Sequence, residues 1–205
     1  MKSTTAFKAI GLALFTAASS AFAVNFSFTG NLANDNDVQL FTFSVGATSN
    51  VTLRTWSYAG GTNAAGTLIA RGGFDPILAL FNSAGTLIGQ NDDGGSSLVA
   101  IDAVTGQAWD TFLNLPSLAP GTYTVSVAQY ANFALGPNLS NGFSGSGTTG
   151  WRDNTGNVRN SSWAFDILNV DQAVVQRAPD AGSSLALFTL ALVGLVGLRR
   201  KFQTS

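Results

Sequence analysis

Pro120-Gly121-Thr122-Tyr123-Thr124-Val125-Ser126-Val127-Ala128 decides the fold class of this 205-residue chain. The Pro-Gly pair is a turn signal. Behind it, Tyr123, Val125 and Val127 alternate with Thr124, Ser126 and Ala128. Successive side chains of a strand point to opposite faces, so the spacing predicts a strand with one apolar face. The same period recurs on both sides of this stretch. In Val38 to Val45, Phe41, Phe43 and Val45 share a face, and after a turn at 46–50 the run Val51-Thr52-Leu53-Arg54-Thr55 repeats it. Pro76 to Phe81 is a continuous apolar run suited to a strand covered on both sides. Asn82-Ser83-Ala84-Gly85 reads as a turn that returns Thr86-Leu87-Ile88 as a hairpin. A further strand is expected over Ala108 to Leu113, and a last one over Ser162 to Val170, with Trp163, Phe165 and Ile167 facing inward.

Seven to nine short strands at this spacing indicate an all-β chain, a single β-sandwich of the jelly-roll kind over residues 24–177. With 23 glycines and 15 phenylalanines, the composition favours short strands and tight turns over helices. Between Gly136 and Ser161 lies a long stretch rich in Gly, Asn, Ser and Thr, which reads mainly as a solvated excursion that Phe143 and Trp151 can pin to the sandwich.

Charge and inventory exclude several function classes. Between Val24 and Ala178 stand five arginines and ten aspartates with no lysine, glutamate or histidine, a net charge of −5. A mildly acidic surface gives no electrostatic reason to expect nucleic acid. Without cysteine or histidine in the whole chain, there is no disulfide framework, no thiolate or imidazole metal site, and no Ser-His-Asp or Cys-His arrangement.

The two ends read as targeting segments. Residues 1–23 have the parts of a signal peptide: Lys2 and Lys8, an apolar stretch over Ala9 to Ala18, and the small-x-small pattern Ala21-Phe22-Ala23, which predicts a mature start at Val24. The implied partners are the export translocon and signal peptidase. At the other end, Ala178-Pro179-Asp180-Ala181-Gly182-Ser183 leads into an apolar run through Leu198, followed at once by Arg199-Arg200-Lys201. As a helix, residues 182–198 would be roughly 25 Å long, short but sufficient for a transmembrane span. The basic triplet is the membrane stop and stays cytoplasmic, leaving the domain outside.

The order of a Pro179-Asp180-x-Gly182-Ser183 turn, one short apolar segment and a basic tail over residues 178–205 resembles the PEP-CTERM sorting signal in its Pro-Asp-x-Gly form. That resemblance implies an exosortase-type sorting enzyme as partner, and a route from an inner-membrane-anchored precursor to the cell envelope, outer surface or extracellular matrix. A second resemblance rests on Phe74-Asp75-Pro76-Ile77-Leu78-Ala79-Leu80-Phe81, Asn91-Asp92-Asp93-Gly94 and Leu118-Ala119-Pro120-Gly121-Thr122-Tyr123-Thr124-Val125. These are similar to the bacterial pre-peptidase C-terminal (PPC-like) domain, a β-sandwich accessory module, and imply a non-enzymatic binding or structural role.

Three sets of residues carry candidate chemistry. Asp75, Asn91, Asp92 and Asp93 offer oxygen ligands on turns, the donor type that suits calcium, although Asn-Asp-Asp-Gly-Gly is also an ordinary turn sequence. Asn34-Asp35-Asn36-Asp37 is a second acidic turn. Trp56, Tyr58, Trp109, Tyr130, Trp151 and Trp163 include candidate platforms for a sugar ring, with Trp163 read as core, and Trp56 and Tyr58 placed on the face opposite Val51 and Leu53. Glycoside hydrolysis by an aspartate pair is the least supported reading. The expected function is a structural or adhesive component of extracellular polysaccharide or biofilm. The alternative is a calcium-dependent carbohydrate-binding module.

Overall fold

A computed structural model describes residues 23–146 and 150–176. The signal segment up to Phe22, the sorting motif from Pro179, the apolar stretch 182–198 and the basic triplet lie outside the described residues. Among the described residues no helix is long and apolar enough to cross a membrane. Ala23 is exposed, and the first strand begins with the next residue.

The strands are β1 (Val24–Asn31), β2 (Val38–Val45), β3 (Ser49–Thr55), β4 (Gly61–Thr62), β5 (Leu68–Ile69), β6 (Pro76–Phe81), β7 (Leu87–Asn91), β8 (Phe112–Leu118), β9 (Gly121–Gln129), β10 (Ser162–Val170) and β11 (Gln172–Gln176). Four form one sheet in the order β1-β10-β3-β8, and five form the other in the order β11-β2-β9-β6-β7. All neighbours in both sheets are antiparallel. The chain changes sheet at almost every connection, the jelly-roll habit, and the all-β sandwich expected from the alternation is what forms.

The core lies between the sheets. Phe41 is its centre, with ring centroids 5.1 Å from Phe28, 5.5 Å from Trp163 and 4.9 Å from Phe165. Phe43 stacks on Tyr123 at 5.3 Å. Val51, Leu53, Leu78, Leu80, Val125, Val127 and Ile167 complete it, all fully buried. Burial of this apolar face is the main drive to fold, at roughly 25 cal/mol per Å² removed from water.

The outer faces are more covered than alternation predicts. Ser126 and Ala128 are buried although they point away from the core. The stretch read as a solvated excursion crosses this face. Its Phe143 meets Phe81 edge-on at 6.4 Å, and Asn138 bridges to Thr86. A two-stranded hairpin, β4-β5, folds over the other sheet, where the Ala64 amide donates to Asp166. The strand expected over 108–113 begins instead at Phe112 and runs to Leu118. Asp110 and Thr111 are held out of the ladder by Thr55, Tyr58 and Ala59.

Connection lengths make the two ends of the sandwich unlike. Residues 46–48, 82–86, 119–120 and 171 are tight turns at one pole. Residues 32–37, 56–75, 92–111 and 130–161 start and finish at the other, which is here termed the long-loop pole. β6 begins and β7 ends at this pole, and β11 runs toward it.

Candidate metal centre

Asp75 precedes β6, and Asp92-Asp93 follow β7. Because these strands are hairpin partners, with Leu78 opposite Asn91, the start of one and the end of the other meet at the long-loop pole. One carboxylate oxygen from each of Asp75, Asp92 and Asp93 lies within 4.8 Å of the others. The local sequence makes this approach possible. Gly94 donates its N–H to the Asp110 carbonyl at 2.9 Å, and a Cβ on it would lie 2.7 Å from Val99 Cγ1. Gly95 turns the chain at φ 71°, a region glycine enters freely.

The aspartates of this fold divide by their partners. Asp102, Asp110, Asp153 and Asp166 are buried and well supplied with donors. Asp110 accepts from Thr55 Oγ1 and the amides of Tyr58 and Ala59. Asp153 accepts from the Tyr58 hydroxyl, Thr155 and Asn157. Asp166 accepts from Ser27, Trp56 Nε1 and Ala64. Asp75 is only 5% exposed, and its Oδ1 has no hydrogen-bond partner. The Oδ1 of Asp92 is likewise buried and unpartnered. Burial, then the charges of Asp93 and Asp92, push the Asp75 carboxyl up to about 9. Burial and Asp93 push Asp92 up to about 6. Burial raises Asp93 as well.

Such an arrangement is costly for ionised carboxylates unless protons or a cation join it, because unpaired buried acceptors and like charges both oppose folding. All donors are oxygen, which fits a hard divalent ion such as calcium and not zinc. Asn91, grouped with these residues from sequence, turns elsewhere: its Oδ1 accepts the Phe112 amide at 2.9 Å and its Nδ2 donates to the Asp93 carbonyl at 3.3 Å. It fixes the loop that carries the carboxylates.

The second acidic turn serves as a turn. Asp37 accepts the Asn34 amide at 2.7 Å, and Asp35 accepts the Gly150 amide at 2.6 Å. Of the aromatic candidates, Tyr58, placed by its spacing on the face opposite Val51 and Leu53, is fully buried beneath Arg159, whose guanidinium lies 3.6 Å from the ring centroid. Trp56 is half-buried, with Arg54 over its ring at 3.7 Å from the centroid and Gly61 close enough that a Cβ there would be 2.8 Å from the six-membered ring. Trp163 is core, as read. Trp109 packs on Tyr58 and Trp151 on Phe74. Tyr130 remains half-exposed, on a surface cavity of about 420 Å³ shared with Arg152, Asp153 and Asn154. Its amide donates to the Asp75 carbonyl at 2.8 Å, so cavity and carboxylate cluster are neighbours.

Comparison with known proteins gives three findings. No curated protein matches the chain. The chain is similar to the crystal structure of the pre-peptidase C-terminal domain of a collagenase from Bacillus anthracis, with 12% identity, 71% of this chain and 88% of that chain covered, and a TM-score of 0.35. Residues 179–202 match the VPDSG-CTERM motif; where that name spells Val-Pro-Asp-Ser-Gly, this chain has Ala178-Pro179-Asp180-Ala181-Gly182. A signal of this kind implies export and handling by an exosortase-type system. The chain therefore carries a PEP-CTERM-like sorting signal of the VPDSG type, three residues behind the last strand of an all-β sandwich.

Proposed function

We propose that this protein is a non-enzymatic component of the cell surface or extracellular matrix. On this reading residues 1–23 are removed as a signal peptide, residues 24–177 are the working domain, and 178–205 are the sorting signal. Residues 182–198 span the inner membrane until an exosortase-type enzyme acts near Pro179, Asp180, Gly182 and Ser183. Arg199, Arg200 and Lys201 stop transfer. The observation that carries the reading is the motif match at 179–202. A structural or adhesive role in exopolysaccharide or biofilm fits a rigid sandwich whose inventory offers no histidine, cysteine or glutamate for catalysis. Its clustered carboxylates are also poorly placed for hydrolysis, because Asp75 is too deep to reach a sugar.

Mass spectrometry of the mature C-terminus in a host with an exosortase-type membrane protein tests the sorting. The expected product ends near Pro179, and Asp180→Ala is expected to leave the tail in place. An intact tail in both proteins would end the proposal.

A second reading, a calcium-dependent carbohydrate-binding module, is favoured by the unpartnered Asp75 carboxylate beside the cavity at Tyr130. Calcium is expected to raise the melting midpoint and chelator to reverse it, by about 2.7 kcal/mol at a hundredfold excess over Kd. Retention on extracellular polysaccharide that needs calcium and is lost in Tyr130→Ala supports a glycan site. Retention that ignores both removes it.

A further inference from the structure

Single exposed apolar side chains are ordinary, but a group of them on rigid loops at one end of a domain marks an interaction surface. Leu98, Ile101 and Val104 on the 92–111 connection and Val158 on the 130–161 connection are all exposed, Val104 at 72%. The two connections are fastened to each other. Asp102, between Ile101 and Val104, lies 3.7 Å from Arg159, the neighbour of Val158. The Tyr58 hydroxyl bonds Thr105 at 3.1 Å and Asp153 at 2.7 Å. These apolar tips are therefore held at the long-loop pole.

Two other features converge on this pole. The first is the carboxylate cluster, where the 95%-buried Asp75 has an oxygen without a partner and Asp93 is exposed. With one oxygen from each of the three carboxylates in the cluster, fewer than the six to eight or so that calcium takes, an ion there has positions open on the solvent side. The second is the exit of the chain. β11 runs toward this pole, and Pro179 follows Gln176 by three residues, a reach of at most about 10 Å. β6, which Asp75 precedes, is three strands from β11, or about 14 Å. If residues 182–198 enter a bilayer, this pole faces it. Asp35, Asp37, Asp92 and Asp93 would oppose approach to anionic headgroups, and a divalent ion on the cluster offsets Asp92 and Asp93.

We propose that the long-loop pole, with a divalent cation on Asp75, Asp92 and Asp93, docks on the anionic headgroups of the bilayer that receives the tail, with Ile101, Val104 and Val158 entering its interface. The bound ion shares its open positions with lipid phosphate, and the apolar tips add burial at the headgroup boundary. The inference rests on the cation reading of the cluster and the membrane reading of the tail.

The chain has no cysteine, so Val104→Cys and Ser83→Cys each provide a unique labelling site at opposite poles. Full-length protein carrying an environment-sensitive dye is reconstituted in phosphatidylglycerol–phosphatidylcholine vesicles with about 1 mM calcium, the range of extracellular calcium modules, and then with chelator. The label at position 104 is expected to shift to the blue, and brominated lipid is expected to quench it severalfold, only with calcium. Position 83 stays aqueous. Pure phosphatidylcholine vesicles and Asp75→Asn abolish the response at 104. An aqueous signal at 104 in calcium-loaded anionic vesicles overturns the docking, as does an equal signal in chelator or at position 83. Calcium-dependent melting and flotation of the full chain with vesicles read the two supporting proposals separately. Calcium-dependent melting together with flotation but no change at 104 refutes the docking alone, while loss of either supporting result removes it with its premise.

Discussion

Asp102 and Asp75 are both buried aspartates in the long-loop half of the sandwich, and their surroundings differ in kind. Asp102 has its counter-ions built in. Arg71 donates to it through Nε at 2.7 Å and Nη2 at 2.8 Å, Arg159 lies at 3.7 Å, and the amides of Val104 and Thr105 add two further bonds. Burial alone would raise its carboxyl, but Arg71 and these amides outweigh burial and hold it well below the usual carboxylate range. Asp75 has two more carboxylates for neighbours and an oxygen with no donor. The difference teaches where each charge is neutralised: inside the chain for Asp102, whereas among the described residues no donor is supplied to the Asp75 Oδ1.

The comparison breaks most visibly if its internal partner is removed. Asp102→Asn leaves Arg159 buried without its counter-charge and is expected to cost about 3–5 kcal/mol, read as a drop in the denaturant midpoint at pH 7 with or without calcium. A loss under 1 kcal/mol would mean that the pair contributes little. Acid supplies a finer test. Because the folded pKa of Asp102 is depressed, its contribution is present above the unfolded value of about 3.9 and is lost as pH falls through the lower folded value. Wild type is therefore expected to lose more stability than Asp102→Asn between about pH 5 and pH 2, so the gap between them narrows. The smallest effect is expected at the other cluster. In chelator at pH 7, Asp75→Asn replaces a carboxyl whose pKa of about 9 already keeps it protonated, and is expected to change stability by less than about 1 kcal/mol, below the worth of one pKa unit. In calcium the same change is expected to remove the metal-dependent rise in melting midpoint. Greater destabilisation by Asp75→Asn in chelator would show that the cluster is neutralised internally after all.

Much of this architecture is legible from the chain, and the remainder is hidden for specific reasons. Strands β2, β3, β9 and β10 announce themselves because one of their faces is core and the other is chemically distinct. β6 is legible as doubly covered, but its cover, a Gly- and Asn-rich segment, has no period of its own. β11 reads Gln-Ala-Val-Val-Gln, without alternation, because it is an edge strand and only Ala173 reaches the core. β8 starts late because Asp110 and Thr111 are spent on side-chain bonds that no local pattern reveals. At the site, hairpin logic is enough to bring Asp75 to Asp92 and Asp93. That Asn91 points away, and that Asp75, unlike Asp102, Asp110, Asp153 and Asp166, has an oxygen with no donor, depends on partners distant in sequence. The same holds for Tyr58, which local pattern places outside and which the fold covers with Arg159, 101 residues further on.

The last strand has a mechanical consequence. Among the described residues β11 pairs with β2 alone, over five positions from Gln172 to Gln176. A force applied at Gln176 along the strand would load the five rungs together instead of opening them one after another. An edge strand is easily peeled from a sheet by a sideways force, so the direction of pull decides whether this one opens rung by rung or gives way all at once.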